Sequence, residues 1–429
     1  MNSRPCILGT GSSGLAAARL LRRQDLGGGC VCAEKVPPPA VREAFADAGF
    51  SFQQGLPDGI PSQVVVSPGF ALDHLWLEAL RAREIPLIPE FALGAAGLSG
   101  RVVAITGSLG KTTMAMLAAE LLRAEGKSVT LSGNIGVPVS EVALTQPAAD
   151  VHVIELSSFQ TELNEDFRPD IGILLNLFPN HLDRHHSMEA YAKAKARMFR
   201  AQTAGDLAVI SETFSGPVPG SGRKRVPDVR CLPDLTGTAF DTPPLRANLA
   251  ALLTGLADFQ LSESLILQVL NRFEFPPHRM QEVGGPGTGR IIDDSKSTCL
   301  SATLAALKSV PGPVRLIAGG VPKGESLEPL KACLREKTVH LHLFGSAGPE
   351  MADAWGDFAA TCGVFLDLSA CMDDVFQQRS CTETLLFSPG CASFDQYSGY
   401  AERGKHFQSL IRQHTSKYVK ALKPEKEIV

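Results

Sequence analysis

The chain has 429 residues, 44% of them hydrophobic and 20% charged, and at about 100–200 residues per domain that length suits a globular protein of roughly two to four domains. A formal net charge of −4 gives no general attraction to nucleic acid or to an anionic membrane. No apolar run reaches the ~18 residues of a membrane span, and the ten cysteines include no paired C-x-x-C, so a cytoplasmic protein with reduced thiols and no membrane insertion is expected.

Pro5-Cys6-Ile7-Leu8 reads as a short buried strand. Gly9-Thr10-Gly11-Ser12-Ser13-Gly14 follows, a G-x-G-x-x-G turn that opens a helix over residues 15–23. A second strand is expected at 31–33. This is a Rossmann-like start, in which Ser12 and Ser13 lie where a helix N-terminus favours phosphate. A glycine turn built only for packing reads the same way. The apolar stretch is broken by Gly9, Gly11 and Gly14, unlike a secretory leader. Strand 64–66, helix 73–83 and strand 85–88 complete a small α/β domain spanning 1–97.

The second domain opens on Val102-Val103-Ala104-Ile105, a β-branched strand, and runs directly into Thr106-Gly107-Ser108-Leu109-Gly110-Lys111-Thr112-Thr113. A helix of strong helix formers is expected over 114–124. The loop amides and the helix N-terminus converge on one place and favour an anion there. Lys111 adds a mobile positive charge for terminal phosphates, and the Thr112 hydroxyl suits Mg²⁺. The spacing is shorter than G-x-x-x-x-G-K-[ST], since Ile105 stands where its first glycine would be.

Gly133-Asn134-Ile135-Gly136 ends the next strand, and Glu155 lies near the carboxyl end of a strand over 150–156. Ligands of open α/β sheets bind at that edge. A strand over 170–177 leads into Asn180-His181-Leu182-Asp183-Arg184-His185, and a helix over 187–200 carries Lys193, Lys195 and Arg197. Residues 207–210 read as a strand, 212–244 as Gly/Pro-rich chain without assignment, and 245–256 and 262–273 as helices. The domain spans 98–277.

The third domain, 278–429, begins after Pro276-Pro277 and contains Arg279. Its first strand leads into Asp293-Asp294-Ser295-Lys296-Ser297-Thr298. A helix over 301–307 and strands at 314–318, 339–344, 364–366 and 384–387 follow. The charged tail from 415 is expected to fray. The fold class is therefore α/β: a Rossmann-like N-terminal domain, a central P-loop ATPase domain with a parallel sheet, and a Rossmann-like C-terminal domain.

Four segments together resemble the Mur ligases, ATP-dependent amide ligases of peptidoglycan precursor synthesis. They are Gly107–Thr113, Glu155-Leu156-Ser157-Ser158-Phe159-Gln160, Asn180–Arg184 and Asp293–Thr298, in family order across nearly the whole chain. The second of them, with Ser388-Pro389-Gly390-Cys391-Ala392-Ser393-Phe394-Asp395-Gln396-Tyr397, resembles the D-glutamate-adding branch. The resemblance implies ATP and Mg²⁺ as cofactors, UDP-N-acetylmuramoyl-L-alanine and D-glutamate as substrates, and a monomer.

By that resemblance, Gly107–Thr113, Asn134, Asn248, Arg279 and Asp294 serve the nucleotide. Thr112, Glu155, His181 and Lys195 serve the metals, with Lys195 carbamylated and chosen over its neighbour Lys193. Ser12 and Ser13 take the uridine diphosphate. Lys296, Thr298, Lys323, Ser393, Phe394 and Tyr400 serve the amino-acid substrate, and Lys111, His181 and Lys195 are catalytic. Several positions depart from the family pattern. Leu109 replaces an asparagine, Val321-Pro322 replaces an acidic segment, Pro244-Leu245 replaces a His-Asn pair, and Cys299 stands where asparagine is usual. A sister ligase for another amino acid, or an ATP-binding paralogue without ligase activity, are the alternatives.

Overall fold

The computed structural model describes residues 4–57, 59–70, 72–284, 289–337, 339–380 and 382–421. They build three sheets. The first has five strands in the order Ser51–Gln54, Cys30–Ala33, Cys6–Leu8, Val64–Val66, Leu87–Pro89, all parallel. Strand order reverses direction at Cys6–Leu8, the position where a parallel sheet opens a crevice at its carboxyl edge. The Gly9–Gly14 turn leaves the sheet there, into the helix Ser12–Arg23.

The second sheet is also parallel, with six strands in the order Arg223–Arg225, Leu207–Ile210, Ile171–Leu174, Ser99–Thr106, Ala148–Glu155, Val129–Gly133. The strand Ser99–Thr106 is central, buried from Val102 to Thr106, and flanked by the strands ending at Leu174 and Glu155. The P-loop, Glu155 and the residues after Leu174 thus leave the sheet at one edge. The third sheet runs Gln281–Glu282, Ile291–Asp293, Thr384–Gly390, Val314–Gly319, Val339–Phe344, Thr361–Phe365, parallel except for its first, antiparallel pair.

The chain forms two compact units, Met1–Leu177 with Ser187–Phe273, and Phe178–His186 with Glu274–Val429. The first unit holds the first two sheets. Its helices Glu90–Ala95 and Val139–Thr145 pack together, and Glu90 Oε1 accepts from the Ser140 amide at 2.7 Å. Burial pushes the Glu90 carboxyl up to about 7, against the hydrogen bonds from Ser140. The second unit packs its apolar residues on both faces of the third sheet, with Trp355 and Phe407 among its largest buried side chains.

Several elements differ from the sequence expectation. Ser51–Gln54 and Arg223–Arg225 are strands without an apolar signal. Both lie at sheet edges, and Arg223–Arg225 is exposed throughout. Polar or charged edge strands discourage further pairing. The helix expected over 187–200 is Met188–Ala196, followed by one tighter turn at Arg197–Phe199. The terminal helix Tyr400–Ala421 runs on through the segment expected to fray, and residues 422–429 lie outside those described. No helix among the described residues is long and apolar enough to cross a membrane.

Candidate active site

The phosphate loop begins where the buried strand Ser99–Thr106 ends. Gly110 caps the helix Lys111–Ala124 in the left-handed region at φ 80°, and a Cβ there would lie 2.3 Å from Asn248 Nδ2. Glycine is therefore needed for both conformation and space. Lys111 Nζ donates to the Gly107 and Ser108 carbonyls at 2.9 and 3.2 Å, so its charge sits over the loop.

Asn176, just beyond the strand Ile171–Leu174, shapes this loop. Its Oδ1 accepts from the Ser108 and Leu109 amides at 3.1 and 2.8 Å, and its Nδ2 donates to the Leu109 carbonyl and to Asn248 Oδ1, both at 2.8 Å. Ser108 Oγ is also within 3.1 Å of the Tyr191 hydroxyl. The sequence reading assigns no role to Asn176, and Tyr191 enters it only as the first residue of the run Tyr191-Ala192-Lys193-Ala194-Lys195. For Asn176 the available signal is a polar residue just after a buried strand.

The main chain of Leu109 is thus held from both sides even though its side chain offers no hydrogen bond. Asn176→Ala removes at least two of these bonds, each worth about 0.5–1.5 kcal/mol. It should raise the KM for ATP about tenfold or more while leaving the circular dichroism spectrum unchanged. An unaltered KM would mean that the loop keeps its shape without Asn176.

Glu155 ends its strand at 1% exposure. Its Oε1 accepts from Asn134 Nδ2 at 2.8 Å, whereas Oε2 has no hydrogen-bond partner among the described residues. A buried carboxylate oxygen without a donor is costly. A hard divalent cation satisfies such an oxygen, and together with the half-buried Thr112 hydroxyl the donors are of the oxygen type that Mg²⁺ takes.

Lys195 is also 1% exposed, and its Nζ donates to the Gly107 carbonyl at 2.8 Å and lies 4.7 Å from the centre of the Tyr191 ring. Burial holds its amine well below the ordinary lysine range. The positive charge of Lys111 adds to this, and Glu155 opposes it. Lys193, its rival in the sequence, is exposed. Tyr191 and Lys195 are four residues apart on one helix face, which turns Lys193 away.

At the first sheet, the turn carrying Ser12 and Ser13 is close-packed, because a Cβ on Gly14 would lie 2.2 Å from the Gly9 carbonyl oxygen. Ser12 at the start of the helix is exposed and Ser13 half-buried.

The second unit contains the remaining candidates. His181 adopts φ 56° at the start of the short helix Leu182–His185 and is half-buried. Lys323 Nζ donates to Thr298 Oγ1 at 3.2 Å. The structure thus brings these two residues of different strand ends into direct contact. The segments carrying Lys323 and Ser393 are joined by paired main-chain bonds between Val321 and Ala392, at 2.8 and 2.9 Å. Ser393 is 1% exposed and its Oγ has no hydrogen-bond partner among the described residues, while Phe394 is 74% exposed.

Lys296 Nζ sits 3.8 Å from the centre of the Tyr400 ring. Asp294 points inward, where it accepts from Ser297, Ser388 and the Met280 amide. Burial raises its carboxyl to about 6, and nearby Arg279, half-buried, works in the opposite direction. Arg403 has no role assigned from the sequence. It is fully buried and donates to the Ser295, Cys391 and Ala392 carbonyls, tying together the loops that carry Thr298 and Ser393.

Residues 105–215 match the Mur ligase middle domain. Over 418 residues the chain is 36% identical to a UDP-N-acetylmuramoylalanine–D-glutamate ligase of Nitratidesulfovibrio vulgaris (strain DP4), covering 94% of this chain and 95% of that one. It is 33% identical to the ligase of the same name from Lawsonia intracellularis, over 95% of this chain and 93% of that one. In fold it is similar to the crystal structure of MurF ligase from Thermotoga maritima in complex with ADP, with a TM-score of 0.59 at 16% identity, covering 97% of this chain and 99% of the other.

Proposed function

This chain belongs to the Mur ligase family, beside the UDP-N-acetylmuramoylalanine–D-glutamate ligases, and from that premise we propose that it joins D-glutamate to UDP-N-acetylmuramoyl-L-alanine at the expense of ATP. A carboxylate does not condense with an amine in water unaided. Transfer of the γ-phosphoryl group of ATP to the alanyl carboxylate gives an acyl phosphate. The D-glutamate amine then attacks its carbonyl carbon, the amide bond forms, and phosphate leaves. The protein contributes positioning and charge neutralisation.

One observation supports this most strongly: the buried Glu155 oxygen without a donor, on the same sheet edge as the phosphate loop. In this role Lys111 and the loop amides hold the terminal phosphates, and Asn134 orients Glu155. Mg²⁺ held by Thr112 and Glu155 would draw charge from the phosphates. By the family resemblance, Lys195, as a carbamate, and His181 would also serve the metals, and Asn248, Arg279 and Asp294 would serve the nucleotide. Ser12 and Ser13 receive the uridine diphosphate. Lys296, Thr298, Lys323, Ser393, Phe394 and Tyr400 form the amino-acid site. The proposal extends to a monomeric cytoplasmic enzyme with domains 1–97, 98–277 and 278–429 for UDP-substrate, ATP and amino acid.

Phosphate release measured across a panel of amino acids, with ATP and UDP-N-acetylmuramoyl-L-alanine present, should be greatest with D-glutamate. Release that prefers another amino acid, or that needs none, would reject the assignment. Within the amino-acid site, Lys323→Ala should raise the KM for D-glutamate roughly tenfold or more, since a charge-assisted hydrogen bond is worth about 1.5–3 kcal/mol. The KM for ATP should stay nearly constant. Equal effects on both substrates would remove Lys323 from the amino-acid pocket.

A further inference from the structure

Three cysteines far apart in the chain meet in the first sheet. Cys6 pairs with Cys30 across adjacent parallel strands, and Cys32 lies two residues beyond Cys30. Side chains two apart on a strand share a face, so all three thiols project from the same side. Cys6 Sγ lies 3.6 Å from Cys32 Sγ, which is 3.9 Å from Cys30 Sγ, and all three sulfurs lie within 4.8 Å of one another. Cys6 and Cys32 are buried and Cys30 is half-buried. Their surroundings are apolar, formed by Leu8, Val64, Val66, Leu77 and Leu80 among others.

Among the described residues, no histidine or carboxylate completes this group. The separations are far longer than a disulfide bond of about 2 Å. The 3.6 and 3.9 Å separations from Cys32 match two sulfurs held on one tetrahedral zinc, which at about 2.3 Å per Zn–S bond lie about 3.8 Å apart.

We propose that Cys6, Cys30 and Cys32 form a binding site for a soft thiophilic cation, zinc, separate from the oxygen-ligand site beside the phosphate loop. Thiolates select soft cations, whereas Mg²⁺ requires oxygen. Binding replaces three S–H bonds with three S–Zn bonds and releases three protons to solvent. Three thiolates on Zn²⁺ leave one net negative charge, and Cys30 is the half-buried member of the three. The metal cross-links the strands Cys6–Leu8 and Cys30–Ala33 and so steadies the first sheet.

The test uses the reduced, full-length protein stripped of metal and titrated with zinc alone against a competing chromophoric chelator. The wild type should take up one equivalent, and Cys30→Ser should bind it at least tenfold more weakly with phosphate release unchanged. Cobalt in place of zinc should show sulfur-to-metal charge-transfer absorption in the wild type and lose it in the variant. Equal zinc binding by both proteins, or cobalt without the sulfur band, would overturn the site. Should Cys30→Ser fail to fold, alkylation of the wild type decides instead. Zinc should protect Cys30 from iodoacetamide, and unchanged labelling would overturn the proposal.

Discussion

Lys111→Ala should lower kcat by about two to three orders of magnitude, the usual loss when one pre-positioned donor to a developing charge is removed. The expectation rests on placement. Lys111 is the first residue of its helix, directly after Gly110, and its amine reaches back over Gly107 and Ser108. A γ-phosphoryl group seated on the loop amides would meet that amine, which would offset the charge that shifts toward the leaving β-phosphate during transfer. The loop itself should survive the substitution, because Asn176 holds Ser108 and Leu109 independently of Lys111. Affinity for ATP should therefore weaken less than turnover falls. Phosphate release and equilibrium binding of a non-hydrolysable ATP analogue measure the two effects. Near-normal release would remove Lys111 from phosphate handling.

Lys195→Ala should abolish most turnover, with a loss comparable to that of Lys111→Ala. A buried ammonium beside a divalent cation would be repelled, whereas a carbamate there carries the opposite charge. Its formation needs the neutral amine, whose nitrogen attacks the carbon of CO₂ and then loses a proton. Burial, with the nearby positive charge of Lys111, holds Lys195 well below the ordinary lysine range and so favours that neutral form. Lys193 is exposed and should tolerate alanine. Small carboxylates such as acetate or formate should partly restore Lys195→Ala, because they can supply the missing anion in the vacated space. Isotopically labelled bicarbonate should give a carbamate signal by NMR in the wild type and none in the variant. Full activity of Lys195→Ala, or a carbamate retained on Lys193, would reject the role.

The sequence alone identified the phosphate loop, Glu155 at the end of its strand, and the family. These signals are local: each depends on a few residues at fixed spacing, and the order of four such segments along the chain is itself specific. The alternation of apolar strands with helices likewise established parallel α/β architecture, because buried strands read as short β-branched runs. The weak strands Ser51–Gln54 and Arg223–Arg225 escaped notice, since an edge strand needs only one neighbour and little apolar surface. The resemblance chose Lys195 over Lys193, but only tertiary structure gives the physical difference, which is burial beside Gly107, a contact 88 residues away. The same holds for Asn176 on the phosphate loop, Arg403 beneath the Thr298 and Ser393 loops, and Cys6 beside Cys30 and Cys32. A polar or thiol side chain acquires its role from the groups that face it. Those groups come from distant segments that the sheets bring together, and no local pattern records them.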